Sequence, residues 1–280
     1  MTSEVSIDNV IKKSLGGGIS GGLAMGIQVT SLMWLRTTMN YQYRYGTSTT
    51  EAIHKLYKDG KIRRFYRGYI PALFIGPLSR FGDTLTNTYA IKKLEDTNLP
   101  TSVKTVFGSG LAASWRAFLM PIDAVKTTMQ VEGKPGFKLL TNKVRDNGPK
   151  TLFHGTGASM AATFVGHYPW FLTYNIMDEK LPVYKNGIQK FLRNGLIGFS
   201  AAVISDCCSN SLRVIKTTKQ THTTPITYMD SVKMIVRDDG VKGLLGRGLK
   251  TRIITNGIQG VVFTISWKYI QEILENSEKF

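Results

Sequence analysis

The chain has 280 residues, 42% of them hydrophobic, and its 36 Lys+Arg against 19 Asp+Glu leave a formal net charge of +17. An aromatic content of 10% and only two cysteines exclude a disordered chain and a disulfide-built scaffold. The charge calls for an anionic counterpart, and composition leaves two classes open: nucleic acid and an anionic membrane surface.

In chain order, the opening Met1-Thr2-Ser3-Glu4-Val5-Ser6-Ile7-Asp8 carries acids and no basic stretch leading into an apolar core. Neither a secretory signal nor an Arg-rich transit peptide is expected there. No window of 18 consecutive apolar residues follows, so plain hydropathy finds no span. A helix that lines a wet cavity escapes that test, because its inner face carries polar groups. Six segments fit this weaker pattern: 14–35, 69–91, 103–120, 155–177, 190–215 and 251–270. Each is rich in Gly, Ala, Ser, Thr and aromatics, poor in acids, and flanked by Lys and Arg. After the first, third and fifth come short amphipathic stretches. These are Ala52-Ile53-xx-Leu56-Tyr57, Leu139-Leu140-xxx-Val144 and Val232-x-Met234-Ile235-Val236. Each runs into Asp59-Gly60, Asn147-Gly148 or Asp239-Gly240, a pairing that suits a helix end.

The pattern repeats with a period of 90. Arg36-Thr37-Thr38-Met39-Asn40 matches Lys126-Thr127-Thr128-Met129-Gln130 and Lys216-Thr217-Thr218-Lys219-Gln220. Upstream, Gly18-xxx-Gly22 matches Gly108-xxx-Ala112 and Gly198-xxx-Ala202, a spacing that lets helices approach closely in lipid. Ser31, Pro121 and Ser211 precede the three basic positions by five residues. Downstream, Tyr66-Arg67-Gly68 is answered by Phe153-His154-Gly155 and Gly246-Arg247-Gly248. Three sets in register mean a triplication, with repeats expected at 1–100, 101–187 and 188–280 and two long helices in each.

Pro121-x-Asp123-xx-Lys126, followed by the acid- or Asn-Gly turn and the aromatic-basic-Gly triplet, resembles the signature of the mitochondrial carrier family. The resemblance covers nearly the whole chain. It implies an all-α membrane protein of six transmembrane helices and three short matrix-side amphipathic helices, with threefold pseudosymmetry around one cavity. It implies solute transport by alternating access in the inner mitochondrial membrane, with outer-membrane residence the lesser alternative. Kinks are implied at Ser31, Pro121 and Ser211. A matrix gate is implied at Arg36, Asp123, Lys126 and Lys216, braced by Gln130 and Gln220. Bound cardiolipin is implied at the corners Arg67, Gly68, Gly155, Arg247 and Gly248, with no other cofactor.

The sequence departs from that pattern at the gates. Asp123 can pair with Lys216, but Lys126 would face the uncharged Met33, and Arg36 would face the like charge of Arg213. At the opposite end, Tyr89-Ala90-xx-Lys93, Tyr174-Asn175-xx-Asp178 and Trp267-Lys268-xx-Gln271 offer no acid–base ring. The family's substrate contacts fall on Ile75, Ala162 with Thr163, and Thr255, none of them charged. Arg80, His167 and Arg252 are the neighbouring cavity candidates, with Asp83 as a counter-charge. A small or weakly charged solute is therefore expected in preference to a nucleotide.

No metal-ligand spacing joins His54, His154, His167 and His222, and no phosphate loop or nucleophile–base set is present, so no enzyme is expected. Cys207-Cys208 reads as two buried thiols. The eroded gates open an alternative function, a transport-inactive subunit of a larger inner-membrane respiratory assembly, with protein partners. A nucleic-acid binder rests on net charge alone and is not expected.

Overall fold

The computed structural model describes residues 7–94, 101–184 and 187–277. Among these the secondary structure is helical throughout. The elements are α1 (Ile7–Tyr45), α2 (Thr49–Phe65), α3 (Tyr69–Lys93), α4 (Thr101–Phe118), α5 (Met120–Glu132), α6 (Gly136–Asn147), α7 (Thr156–Lys180), α8 (Ile188–Thr221), α9 (Tyr228–Gly246) and α10 (Leu249–Ser277). A 3-10 turn, Pro149–Phe153, links α6 to α7.

Only one of the three expected kink positions interrupts a helix. Pro121 sits in the first turn of α5, and the break at Leu119 separates that helix from α4. Proline has no N–H, and its ring displaces the carbonyl four residues back. Ser31 and Ser211 keep their N–H groups, and α1 and α8 run on through them as single helices.

The short helices are held by local chemistry. Ser48 Oγ accepts from the Glu51 N–H at the start of α2, and Thr227 forms a reciprocal capping box with Asp230 at the start of α9. Their apolar faces bury Ala52, Leu56, Leu140 and Ile235. The expected glycine stops appear as Gly148 at φ 80° and Gly240 at φ 68°. In the first repeat Gly60 is extended instead, and the left-handed backbone falls on Lys61 at φ 50°.

Long helices pack in cyclic order: α1 on α3, α3 on α4, α4 on α7, α7 on α8, α8 on α10, and α10 back on α1. At the closing seam, the Gln28 side-chain amide donates to the Gln259 carbonyl at 2.9 Å. The aromatic-basic-Gly corners explain how the repeats lock. A Cβ on Gly68 would stand 2.8 Å from the Lys126 carbonyl, one on Gly155 would stand 3.2 Å from the Lys216 carbonyl, and one on Gly248 would stand 2.8 Å from the Tyr43 ring. All three glycines have φ between 66° and 88°. Each corner therefore presses on the first long helix segment of another repeat, Gly68 on α5, Gly155 on α8 and Gly248 on α1.

None of the helices is long and apolar enough by hydropathy to cross a membrane, among the described residues. Their outward faces are nonetheless apolar, with Leu23, Phe74, Phe118, Val261 and Ile265 more than half exposed. Cys207 and Cys208 lie exposed on α8, which corrects their expected burial: the helix turns Asp206 inward and these two outward.

Candidate functional site

Basic residues with acidic or carbonyl partners define the interior. A chamber of about 420 Å³ opens at the centre of the helix ring, and all six long helices contribute side chains to it. A second chamber of about 240 Å³ lies towards the C-terminal ends of α1, α5 and α8, lined by Met39, Asn40, Thr127, Gln130 and Thr217. Arg36, Asp123, Lys126, Arg213, Lys216 and Arg252 line both, so a layer of charge divides the two spaces.

Asp123 is the hub of that layer. It is 7% exposed, its Oδ2 accepts from Lys216 of the third repeat, and its Oδ1 accepts from Lys126 at 2.5 Å. Lys126 therefore turns back along its own helix and does not engage Met33. Met33 receives the Gln130 amide instead, with Nε2 to Sδ at 3.4 Å. Gln130 Oε1 in turn accepts from Asn40 Nδ2 at 2.6 Å, tying repeat two to repeat one at equivalent positions. Gln220, the expected counterpart brace, is 2% exposed, and neither of its side-chain polar atoms has a hydrogen-bond partner among the described residues. With the Gln259 amide oriented to satisfy both its atoms, Arg36 donates to it at 3.0 and 3.3 Å. Arg213 donates to Ser209 Oγ at 3.3 Å.

The expected substrate residues separate. Ile75, Thr163, His167 and Arg252 line the larger chamber and Thr255 the smaller one, while Ala162 is packed away at 1% exposed. The side chains of Arg80, Asp83, Tyr89, Lys93, Trp267, Lys268 and Gln271 lie outside the described residues. Asp83 is not needed as the counter-charge of Arg252. That carboxylate is Asp206 on α8, which accepts from Arg252 Nε at 2.6 Å and from the Asn256 amide. Sequence reasoning missed Asp206, although it is the lone acid in the 190–215 stretch. It also missed Arg116, a cation within the 103–120 stretch that lines the larger chamber. At the far end, Asp178 pairs with Arg193 of α8 at 2.7 Å, a local link between α7 and α8.

The corner cations behave differently from expectation. Arg247 does not face lipid: its side chain is 4% exposed, donating to Asp239 at 2.7 Å and to the Arg44 carbonyl at 3.2 Å. Two other cations do the same for the remaining repeats. Arg64 donates to Asp59 and to the carbonyls of Gln130 at 2.8 Å and Val131 at 2.6 Å. Lys143 donates to the Gln220 carbonyl at 3.3 Å. The last carbonyls of a helix lack intrahelical partners and carry partial negative charge, so a buried cation satisfies both needs. Burial pushes the Lys143 ammonium down to about 8, against the opposing attraction of Glu132. Arg67 stays half-exposed at its corner.

The family description "Mitochondrial carrier protein" matches the sequence three times, at residues 7–96, 98–185 and 188–278. The mitochondrial glycine transporter of Emericella nidulans is 24% identical over 94% of this chain and 88% of its own length. That of Aspergillus niger is 26% identical over 93% and 89%. The S-adenosylmethionine carrier 1, chloroplastic/mitochondrial, of Arabidopsis thaliana is 30% identical over 55% of this chain and 48% of its own length, about half of each.

Proposed function

Because this chain belongs to the mitochondrial carrier family, multi-pass proteins of the mitochondrial inner membrane whose members move solutes, we propose that it carries a small solute across that membrane by alternating access. The observation that carries this reading is the larger chamber, lined by all six long helices and bounded on one side by the Asp123 layer. The six long helices are the spans in this reading. Their polar inner faces lower the mean hydropathy, while Phe74, Phe118 and Ile265 give the outer surface its apolar character. Arg36, Asp123, Lys126 and Lys216, with Gln130 bonded to Asn40, form the matrix gate. A solute shifts the balance of gate states only through its different affinity for the two. Cardiolipin suits the corners at Arg67, Gly68 and Gly155, where helix ends meet a basic surface.

The test is uptake into liposomes by the purified full-length protein, with glycine and S-adenosylmethionine, named for its relatives, first in a broad panel. The expected result is saturable uptake of one solute class, lowered by Asp123→Asn. Folded protein that moves no solute would overturn the reading. The competing role, a structural subunit of an inner-membrane respiratory assembly, predicts co-migration with a large complex on native gels. The intact Asp123–Lys216 contact and the open chamber favour transport.

A further inference from the structure

Three buried cations tie each repeat to the next, and one of the three is built differently. Arg64 of the first repeat caps α5 and is clamped by Asp59 at 2.5 Å. Arg247 of the third caps α1 and is clamped by Asp239 at 2.7 Å. Both acids belong to the acid-Gly turns. In the second repeat that turn is Asn147-Gly148, and the Asn147 amide donates to the Lys143 carbonyl of its own helix. Lys143, 4% exposed, therefore caps α8 through the Gln220 carbonyl with no carboxylate in ion-pair contact, among the described residues. Its surroundings are mostly cationic. From α1 comes Arg44, and from α8 comes Lys219, anchored to the Ile226 carbonyl and set against the Tyr228 ring. From α5 comes one acid, Glu132, which accepts from the Tyr45 hydroxyl at 2.9 Å. His154, at the end of the 3-10 turn, is held below its ordinary value by burial first and then by Lys219 and Lys143, so it is neutral above pH 6.5. Lys138, Arg145, Asp146 and Lys150 lie exposed on the outer surface of α6 and the turn.

We propose that the contact between the second and third repeats is a proton-operated latch: a proton on Lys143 opposes its closure, and loss of that proton favours it. Acidification on the matrix side then biases the carrier towards the state open to that side, a consequence that rests on the transport reading. An ammonium buried beside like charges holds its proton at a cost in free energy that a neighbouring carboxylate would offset. Asp59 and Asp239 do this for the two arginines, whose guanidiniums stay charged throughout. Burial first, then the repulsion of Arg44 and Lys219, push Lys143 from 10.5 down to about 8 against the attraction of Glu132. Below pH 8 the closed contact bears the charge at full cost, whereas an opened contact gives the ammonium to water. Between pH 8 and 10.5 the closed form sheds the proton, and the neutral amine still donates to the Gln220 carbonyl. Closure is thus favoured as the pH rises through that window. Gln220 points to the same contact as the one that parts. Its unpaired amide atoms gain water on opening, whereas opening between the first and second repeats would cost Gln130 its bond to Asn40.

The experiment uses full-length protein in detergent, with Cys207→Ser and Cys208→Ser and a pair of spin labels across the latch, at Arg145→Cys on α6 and Lys233→Cys on α9. A second pair, at Lys233→Cys and Lys55→Cys on α2, crosses the contact between the third and first repeats. Pulsed electron resonance reads the label distances between about pH 6.5 and about pH 10, a range that spans the folded value of Lys143. The longer-distance population of the first pair is expected to grow several-fold as the pH falls, and the second pair to stay constant. Lys143→Met holds no proton, and Asn147→Asp supplies the carboxylate that the other two repeats have. Each is expected to keep the first pair at its short distance throughout. No response to pH in the labelled parent, an equal response in the second pair, or a response kept in either variant would overturn the inference. Solute uptake into liposomes by a protein whose first pair ignores pH would overturn the latch and leave the transport reading in place. A Lys143-dependent response in a protein that moves no solute would do the reverse.

Discussion

Lys61 is the only non-glycine residue with positive φ among the described residues, at φ 50° and ψ −143°. A side chain in such a region costs about 1–3 kcal/mol, and glycine relieves it. Lys61→Gly is therefore expected to stabilise the protein by about 1 kcal/mol, read as a higher unfolding temperature. A lower one would mean that the Lys61 side chain makes contacts worth more than the strain. Lys143 illustrates the opposite balance, a buried charge kept for the carbonyl it satisfies. Its folded value near 8 lies below the ordinary 10.5. Below pH 8 both folded and unfolded states hold the proton, and the burial penalty is fully present. Between pH 8 and 10.5 the folded state sheds its proton first, so stability rises with pH. The unfolding temperature of wild type should climb relative to Lys143→Met across that window, and a flat difference would refute the assignment. Neither effect was legible in the sequence. Asp59-Gly60 marked the turn, but the left-handed backbone falls one residue later, on Lys61.

Helix limits, corners and period were legible at the scale of elements because each has a local cause. The alternation of small and apolar residues sets the long helices, and glycine after an acid or Asn ends α6 at Gly148 and breaks α9 at Gly240. The corners add a nonlocal reason for glycine that only contact distances reveal. Gly68→Ala would force a methyl to 2.8 Å from the Lys126 carbonyl at φ 80°, with an expected loss of about 1–3 kcal/mol. Gly110→Ala, within α4 and with open space around it, should instead gain about 0.5–1 kcal/mol from helix propensity. Comparing the two unfolding temperatures checks the close-approach argument, and equal effects would count against it. Ser31 and Ser211 show the limit of reading by analogy: equivalence in register with Pro121 did not transmit the helix break, because the break comes from the missing N–H.

The whole molecule closes as a ring, held by charge contacts between repeats, such as Asp123–Lys216, and by buried pairs within them. Asp206–Arg252 joins α8 to α10 with side chains 5% and 16% exposed. Removing one partner of such a pair leaves an uncompensated charge, at a cost of about 3–5 kcal/mol. Asp206→Asn is expected to destabilise by that order, and adding Arg252→Gln should recover part of the loss. No recovery in the double variant would show that the two residues act separately. The composition follows the same logic. The excess of 36 bases over 19 acids is spread among buried helix caps, the gate layer and the corners.

The sequence by itself determined the threefold period, the helical class, the positions of the short helices and the family, since all of these repeat locally or in register. It also singled out Asp123 and Lys216 as partners one repeat apart. Only the tertiary structure decided that Lys126 returns to Asp123, that Asp206 serves Arg252, and that Arg247 turns inward to cap α1. Those choices depend on which helices approach one another and on how much water each charge surrenders. A period in the chain places residues at equivalent stations, but a charge selects its partner by distance and desolvation.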